Sequence, residues 1–262
     1  MTTVSSLAFV HPEAVLGENV IVEPFAYVDR NTEIGDGTRV MTQSTILSGA
    51  RIGKNCVIFP HATIAGIPQD LKFEGEETTA IIGDNTTVRE CVTVNRGTAS
   101  KGYTKVGSNC LIMAYSHVAH DCDLKDNVIL GNSVQLAGEV EIDDYAILSG
   151  GALVHQFSRI GAHVMIQGGS KIPKDIPPYV MVGREPIVYV GLNVVGLRRR
   201  GFTSERINSI QEIYRFLYMS GHNVSQATER IEKDLPESED RELILEFIRS
   251  SSRGIVRGNM EG

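Results

Sequence analysis

One periodicity constrains this chain more than any other feature. Starting at Val4 and stepping by six, Val10, Leu16, Val22, Val28, Ile34, Val40, Ile46, Ile52, Ile58 and Ile64 all fall in phase. From 4 to 172, 26 of the 29 positions on this comb are Val, Ile or Leu, and only Asp70, Glu76 and Ser100 fail. A period of six matches neither the 3.6 of a helix nor the two-residue alternation of an ordinary strand. Four places after these aliphatics a small or modest residue recurs, as at Val20, Thr38, Cys56 and Cys110, often with Gly directly following the aliphatic. A short strand followed by a corner satisfies all of this. The aliphatic points to a shared core, Gly or a polar pair turns the chain, and three units close one triangular coil of 18 residues. Coils then stack with strands about 4.8 Å apart, which predicts a parallel β-helix over residues 1–190.

The comb fails in two places, 69–79 (QDLKFEGEETT) and 99–103 (ASKGY). A stretch without inward aliphatics cannot fill a core, so each is expected to loop out of a coil, where binding groups tend to sit. After Pro173 the texture changes: the prolines of 175–186 are expected to block further coils. From Thr203 the pattern turns helical, with Ile207, Ile210, Tyr214 and Leu217 in phase up to Gly221. A second helix is predicted from near Asn223 (Val224, Ala227, Ile231) to before Pro236, and a third over about 239–250 with Leu243, Phe247 and Ile248. Residues 191–262, of which 259–262 lie outside the residues described below, are thus expected to form a C-terminal α-helical domain covering the open end of the solenoid.

Charge and composition exclude several classes. The net charge of −7 leaves no overall field to hold a polyanion, so nucleic acid is not an expected partner. No basic leader and no run of about 18 apolar residues occurs, which excludes integral membrane association and points to a cytoplasmic protein. Cys56, Cys91, Cys110 and Cys122 are spaced 35, 19 and 12 apart, neither a metal pair nor a disulfide framework, and are expected to be reduced.

Among seven histidines, repeat phase isolates the run 116–122 (SHVAHDC). Adding one coil to His120 reaches Gly138, and a second reaches Gln156 beside His155, so an imidazole, a bare backbone and an amide line up along one edge. An imidazole can take a proton from a hydroxyl near neutral pH. Gly138 offers an N–H unshielded by a side chain, as an oxyanion donor requires. Asp121 is a candidate to orient the ring, although neighbours along a strand face opposite sides. His11, His61, His163 and His222 read as structural or surface residues. Cys122 occupies the inward slot shared with Cys56 and Cys110, so a thiol nucleophile is disfavoured. The His117–His120 spacing, with Asn95 and Thr98 in the earlier coils, disfavours zinc, and no metal is expected.

Nine stretches carry a closer resemblance: QDLKFEGE (69–76), NRGT (95–98), TKVGS (104–108), HVAHDC (117–122), HQF (155–157), IGAHVM (160–165), DIPPYV (175–180), GLRRRGF (196–202) and RGIVR (253–257). Together they resemble the bacterial UDP-N-acetylglucosamine O-acyltransferases, hexapeptide-repeat enzymes that begin lipid A synthesis. That resemblance implies a left-handed coil and a homotrimer with its active sites between neighbouring β-helices. It implies transfer of an (R)-3-hydroxyacyl group from acyl carrier protein to the 3-hydroxyl of UDP-N-acetylglucosamine, without a cofactor.

In that likeness His120 is the general base and Gly138 the oxyanion donor. Asp70 and Lys72 contact the sugar, while Gln69, His117, His155 and Gln156 line the same cleft. Asn193, Arg199 and Arg200 lie on the nucleotide side, and Gly168 limits acyl-chain depth. Glu139 departs from the family pattern, where a further His is usual, and Val195 replaces an acidic residue. A related enzyme acting on the 3-amino analogue of the nucleotide sugar is the runner-up. Arg198, Lys171 and Lys174 are candidates for a basic patch facing the acidic carrier.

Overall fold

The computed structural model of the chain describes residues 1–258. Among the described residues, twenty-eight mostly two-residue strands arrange into three sheets of eleven, nine and eight strands, parallel except for the last strand of the first. Sheet I begins at Thr3–Val4, sheet II at Phe9–Val10 and sheet III at Val15–Leu16, and the chain visits them in that order on every coil. Each comb residue pairs with its counterpart one coil on, as Val22 with Val40 and Leu130 with Leu148.

From Val22 onward the comb side chains are buried, while Val4, at the uncovered first coil, is 44% exposed. Each fully buried Ile or Leu contributes on the order of 1.5–3 kcal/mol, and the coil repeats that contribution three times. The fourth-place slot is also inward: Val20, Thr38, Cys56, Cys110 and Cys122 are at most 2% exposed. The expectation of reduced cysteines agrees with four free thiols. Burial pushes the Cys110 and Cys122 thiols up, to about 11 and about 12.

The corners have a fixed backbone conformation. The residue three places after the comb aliphatic lies in the left-handed region in coil after coil, as at Asn19, Asn55, Asn109, Asp121, Asn127 and Glu139. Asn and Gly tolerate that region best, which explains their recurrence there.

Both comb failures leave the stack at the corner joining sheets II and III. Ile58 pairs with Val88, thirty residues on, so twelve are inserted; Val88 pairs with Ile112, so six are inserted. Both insertions are multiples of six, so the sequence comb shows blanks rather than a change of phase.

The coils do not stop at the prolines. Ile176 bridges Ile160 in sheet III, and Val180–Gly183 extends sheet I in parallel before Val188–Leu192 returns antiparallel. Gly161 makes this possible: a Cβ there would lie 2.5 Å from Pro178 N, so the proline corner packs on bare backbone.

Four helices follow: α1 (Val194–Arg199), α2 (Ser204–Met219), α3 (Val224–Asp234) and α4 (Glu239–Arg249). The short α1 carries no periodic signal long enough to find it in the sequence. In α4, Leu243 is 40% exposed, and Ile244 and Leu245 join Phe247 and Ile248 in the core instead. Among the described residues, no helix is long and apolar enough to cross a membrane.

A buried polar joint locks helices to coils. Asp240 accepts from Tyr179 Oη at 2.7 Å and from Arg206 Nε and Nη2 at 2.7 and 2.9 Å. Burial alone would raise the Asp240 carboxyl; the bonds from Arg206 and Tyr179 outweigh it and hold it below the ordinary value of 3.8. A depressed carboxyl stabilises the fold above its unfolded pKa, and that contribution is lost as pH falls below about 4. Asp240→Asn is expected to cost about 2 kcal/mol at pH 7 and to flatten the acid limb of a plot of melting temperature against pH; equal acid limbs in both proteins would refute this joint.

Candidate active site

The corner between sheets II and III carries most of the polar residues singled out in the sequence. Along the axis it presents the excursion with Gln69, Asp70 and Lys72, then the excursion starting at Arg96. His120 and Asp121, Gly138 and Glu139, and His155 and Gln156 follow on successive coils. The stack therefore brings His120, Gly138 and Gln156 into register, as the coil arithmetic predicts.

His120 is 8% exposed and its Nδ1 lies 2.8 Å from Asp121 Oδ2. Neighbouring side chains meet here because both residues belong to the corner, where Asp121 has φ +60°, not to a strand. The expectation that they face apart is thereby corrected. The Asn and Gly recurring at this phase were the signal that would have shown it. An ionised carboxylate only accepts, so the shared proton sits on Nδ1. Nε2 is left as a base without a partner among the described residues.

Asp121 is fully buried and accepts three further bonds. Thr98 N–H and Lys101 N–H reach Oδ1 at 2.9 and 3.2 Å, and Thr98 Oγ1 reaches Oδ2 at 2.6 Å. Burial opposes ionisation, but the bonds from Thr98, His120 and Lys101 prevail and hold the carboxyl below its usual value. His117 contacts Thr93 Oγ1 through Nδ1 at 2.7 Å; burial first and His120 second lower its pKa, so it is neutral at pH 7.

Gly138 does more than expose an N–H. A Cβ on it would lie 2.5 Å from His120 Cε1 and 2.6 Å from Nε2, so only glycine leaves room for the ring. Its φ is not positive, so the requirement is one of space. The Gly138 N–H has no acceptor among the described residues.

Glu139 accepts from Ser100 Oγ at 3.2 Å and so ties down the second excursion. Asp70 shapes its own turn, accepting from Lys72 N–H at 3.0 Å, and leaves Gln69 and Lys72 exposed. His155 is exposed, with Nδ1 3.0 Å from Gln156 O. A trough of about 450 Å³ runs beside this corner across sheet II, walled by His117, Leu136, Leu153, Val154, His155 and Pro173.

The remaining candidates stand on other corners. Gly168 lies at the corner of sheets I and II, where a Cβ would be 3.1 Å from Gly150 O. Arg200 and Asn193 reach the corner of sheets III and I: Arg200 Nη2 donates to Tyr145 O at 3.2 Å and Asn193 Nδ2 to His163 O at 2.9 Å. Asn193 is buried, and its Oδ1 caps α1 by accepting from Gly196 N–H. Arg199 is exposed in the last turn of α1 and Val195 in its first. His163 is a structural residue rather than a surface one. It stacks between Tyr145 and Tyr179, with centroids at 5.0 and 5.6 Å, and burial followed by the charges of Arg200 and Arg206 lowers its pKa to about 4.

Over 258 residues, 98% of this chain and the whole of the relative, it is 40% identical to the acyl-[acyl-carrier-protein]–UDP-N-acetylglucosamine O-acyltransferase of Thermodesulfovibrio yellowstonii. The chain belongs to the UDP-N-acetylglucosamine O-acyltransferase family. The family model for domain 2 of that enzyme matches residues 175–256, and a bacterial transferase hexapeptide model of six repeats matches 103–138. A third model, described as a GMPPB C-terminal domain, matches 4–101.

The crystal structure of the UDP-N-acetylglucosamine acyltransferase of Bacteroides fragilis superimposes with a TM-score of 0.96 at 55% identity, covering 97% of this chain and all of that one. That of Francisella novicida gives 0.95 at 41%, covering 99% and 95%. The coil is therefore a left-handed parallel β-helix, as this family's fold requires.

Gly138→Ala is expected to leave the melting temperature within a few degrees while reducing turnover about 100-fold, the scale of an ångström-sized misplacement. Turnover within threefold of the unaltered chain would show that the ring does not need this space.

Proposed function

We propose that this chain transfers an (R)-3-hydroxyacyl group from acyl carrier protein to the 3-hydroxyl of UDP-N-acetylglucosamine, the opening step of lipid A synthesis. The observation that carries the reading is His120 with its Nδ1 fixed on Asp121, its Nε2 unpaired and Gly138 against the ring. Nε2 takes the proton of the sugar hydroxyl as its oxygen attacks the thioester carbonyl. The Gly138 N–H receives the developing oxyanion. Collapse breaks the carbon–sulfur bond, and the imidazolium returns the proton to the departing thiolate. The thioester is already activated, so base, oxyanion donor and orientation suffice, and no cofactor is assigned.

Gln69, Asp70, Lys72, His117, His155 and Gln156 are assigned to the sugar side, and Asn193, Arg199 and Arg200 to the nucleotide, whose diphosphate suits guanidinium forks. The apolar trough over Leu136, Leu153 and Pro173 suits an acyl chain. These groups occupy different corners of one prism, and a convex prism cannot converge them on a single ligand. We therefore assign the working form to a homotrimer, with each site completed by a neighbouring copy. Two water-soluble substrates fit a cytoplasmic enzyme.

His120→Ala should reduce transfer by about 10²- to 10⁴-fold, the range of a lost general base; unchanged transfer would remove it from that role. The unaltered protein given mixed acyl donors and both the 3-hydroxy and 3-amino nucleotide sugars should yield the ester by mass spectrometry, and amide alone would support the N-acyl alternative. Gly168→Met is expected to shift that product profile toward shorter chains, and a profile that stays in place would remove Gly168 as the ruler.

A further inference from the structure

The segment Asn95–Thr98 (NRGT) is left without a role by the site residues assigned above, yet it touches both halves of the corner. Asn95 Nδ2 donates to Ile67 O at 2.7 Å, Arg96 N–H donates to Gly66 O at 2.9 Å, and the Arg96 guanidinium lies 5.3 Å from the Phe73 ring centre. Thr78 Oγ1 donates to Gly97 O at 2.6 Å. The first excursion, which carries Gln69 to Lys72, is thus fastened at its base and its end. The next residue, Thr98, donates twice to Asp121, from its amide to Oδ1 and from its hydroxyl to Oδ2, the same oxygen that holds His120 Nδ1.

We propose that Thr98 is a positioning residue for the base, a third member of a Thr98–Asp121–His120 chain that fixes both the rotation of the carboxylate and the charge it shows the imidazole. A carboxylate held at one oxygen only can rotate about its Cβ–Cγ bond. With both oxygens bound from the excursion, Oδ2 has one orientation, and the ring is set with Nε2 outward. The Thr98 hydroxyl also draws charge from the oxygen facing Nδ1. Thr98 is 7% exposed and its hydroxyl reaches a fully buried acceptor, so this bond is shielded from competing water. Because the same segment pins the sugar-side excursion, substrate loop and base share one anchor.

This inference rests on the acyl-transfer reading only for its kinetic arm. Thr98→Val keeps the β-branched shape and removes the hydroxyl; Thr98→Ser keeps the hydroxyl. The His120 ring is to be titrated by NMR in the unaltered protein and in both variants, and kcat and KM measured with acyl carrier protein thioester and UDP-N-acetylglucosamine. In Thr98→Val the less compensated carboxylate should hold the imidazolium more strongly and raise the His120 midpoint by about half a unit or more. The titratable neighbours His117, Lys101 and Glu139 are unchanged by the substitution. The valine variant should lose about 10- to 100-fold in kcat with KM within twofold, and the serine variant should recover most of both. In an Asp121→Asn background the valine should cost little more. An unmoved midpoint, a loss confined to KM, or an undiminished loss without Asp121 would overturn the proposal. Absence of turnover in the unaltered protein would overturn the acyl-transfer reading instead, and the titration would still test Thr98.

Discussion

The inward aliphatic every sixth residue is the constraint on which everything else rests. It places three short strands and three corners on each coil, so in each uninterrupted stretch a step of 18 residues returns the chain to the same corner. Packing at such a core tolerates no slip, because a shift of one residue would turn the comb out to solvent. The residues at one corner are consequently held in fixed register over many coils. His120, Gly138 and Gln156 are stacked by the burial of Val118, Leu136 and Val154, which perform no chemistry.

That constraint made most of the fold legible. The comb, the inward slot and both excursions were visible because each depends on a burial pattern that the sequence cannot conceal. So was the alignment of His120 with Gly138. The dyad was only half visible. Treating 120 and 121 as strand neighbours sends their side chains apart, whereas Asp121 occupies the left-handed corner position that Asn and Gly mark elsewhere. The steric reason for Gly138 was also hidden, since it lies in the distance from its missing Cβ to a ring one coil away. Helix α1 and the last partial coil escaped because they depend on one cap at Asn193 and on Gly161 yielding to Pro178.

The two excursions show how a repetitive scaffold acquires a specific site. Neither contributes to the core, yet both are stitched to it and to each other by hydrogen bonds: Thr78 to Gly97, Asn95 to Ile67 and Thr98 to Asp121. The rigid corner supplies register and the excursions supply polar groups at a precision that free loops would not reach. Glu139 belongs to the same fastening through Ser100, which gives it a structural use at this corner.

Arg200 and His120 lie on different corners of one chain, so the proposed transfer needs a site completed by two copies. The most direct test is complementation between two variants expected to be inactive, His120→Ala and Arg200→Ala, each purified alone and then unfolded and reassembled together. If the site spans two chains, random mixing restores about a quarter of the sites, each taking His120 from one copy and Arg200 from the next. Mixed assemblies that form and remain as inactive as their parents would contradict it.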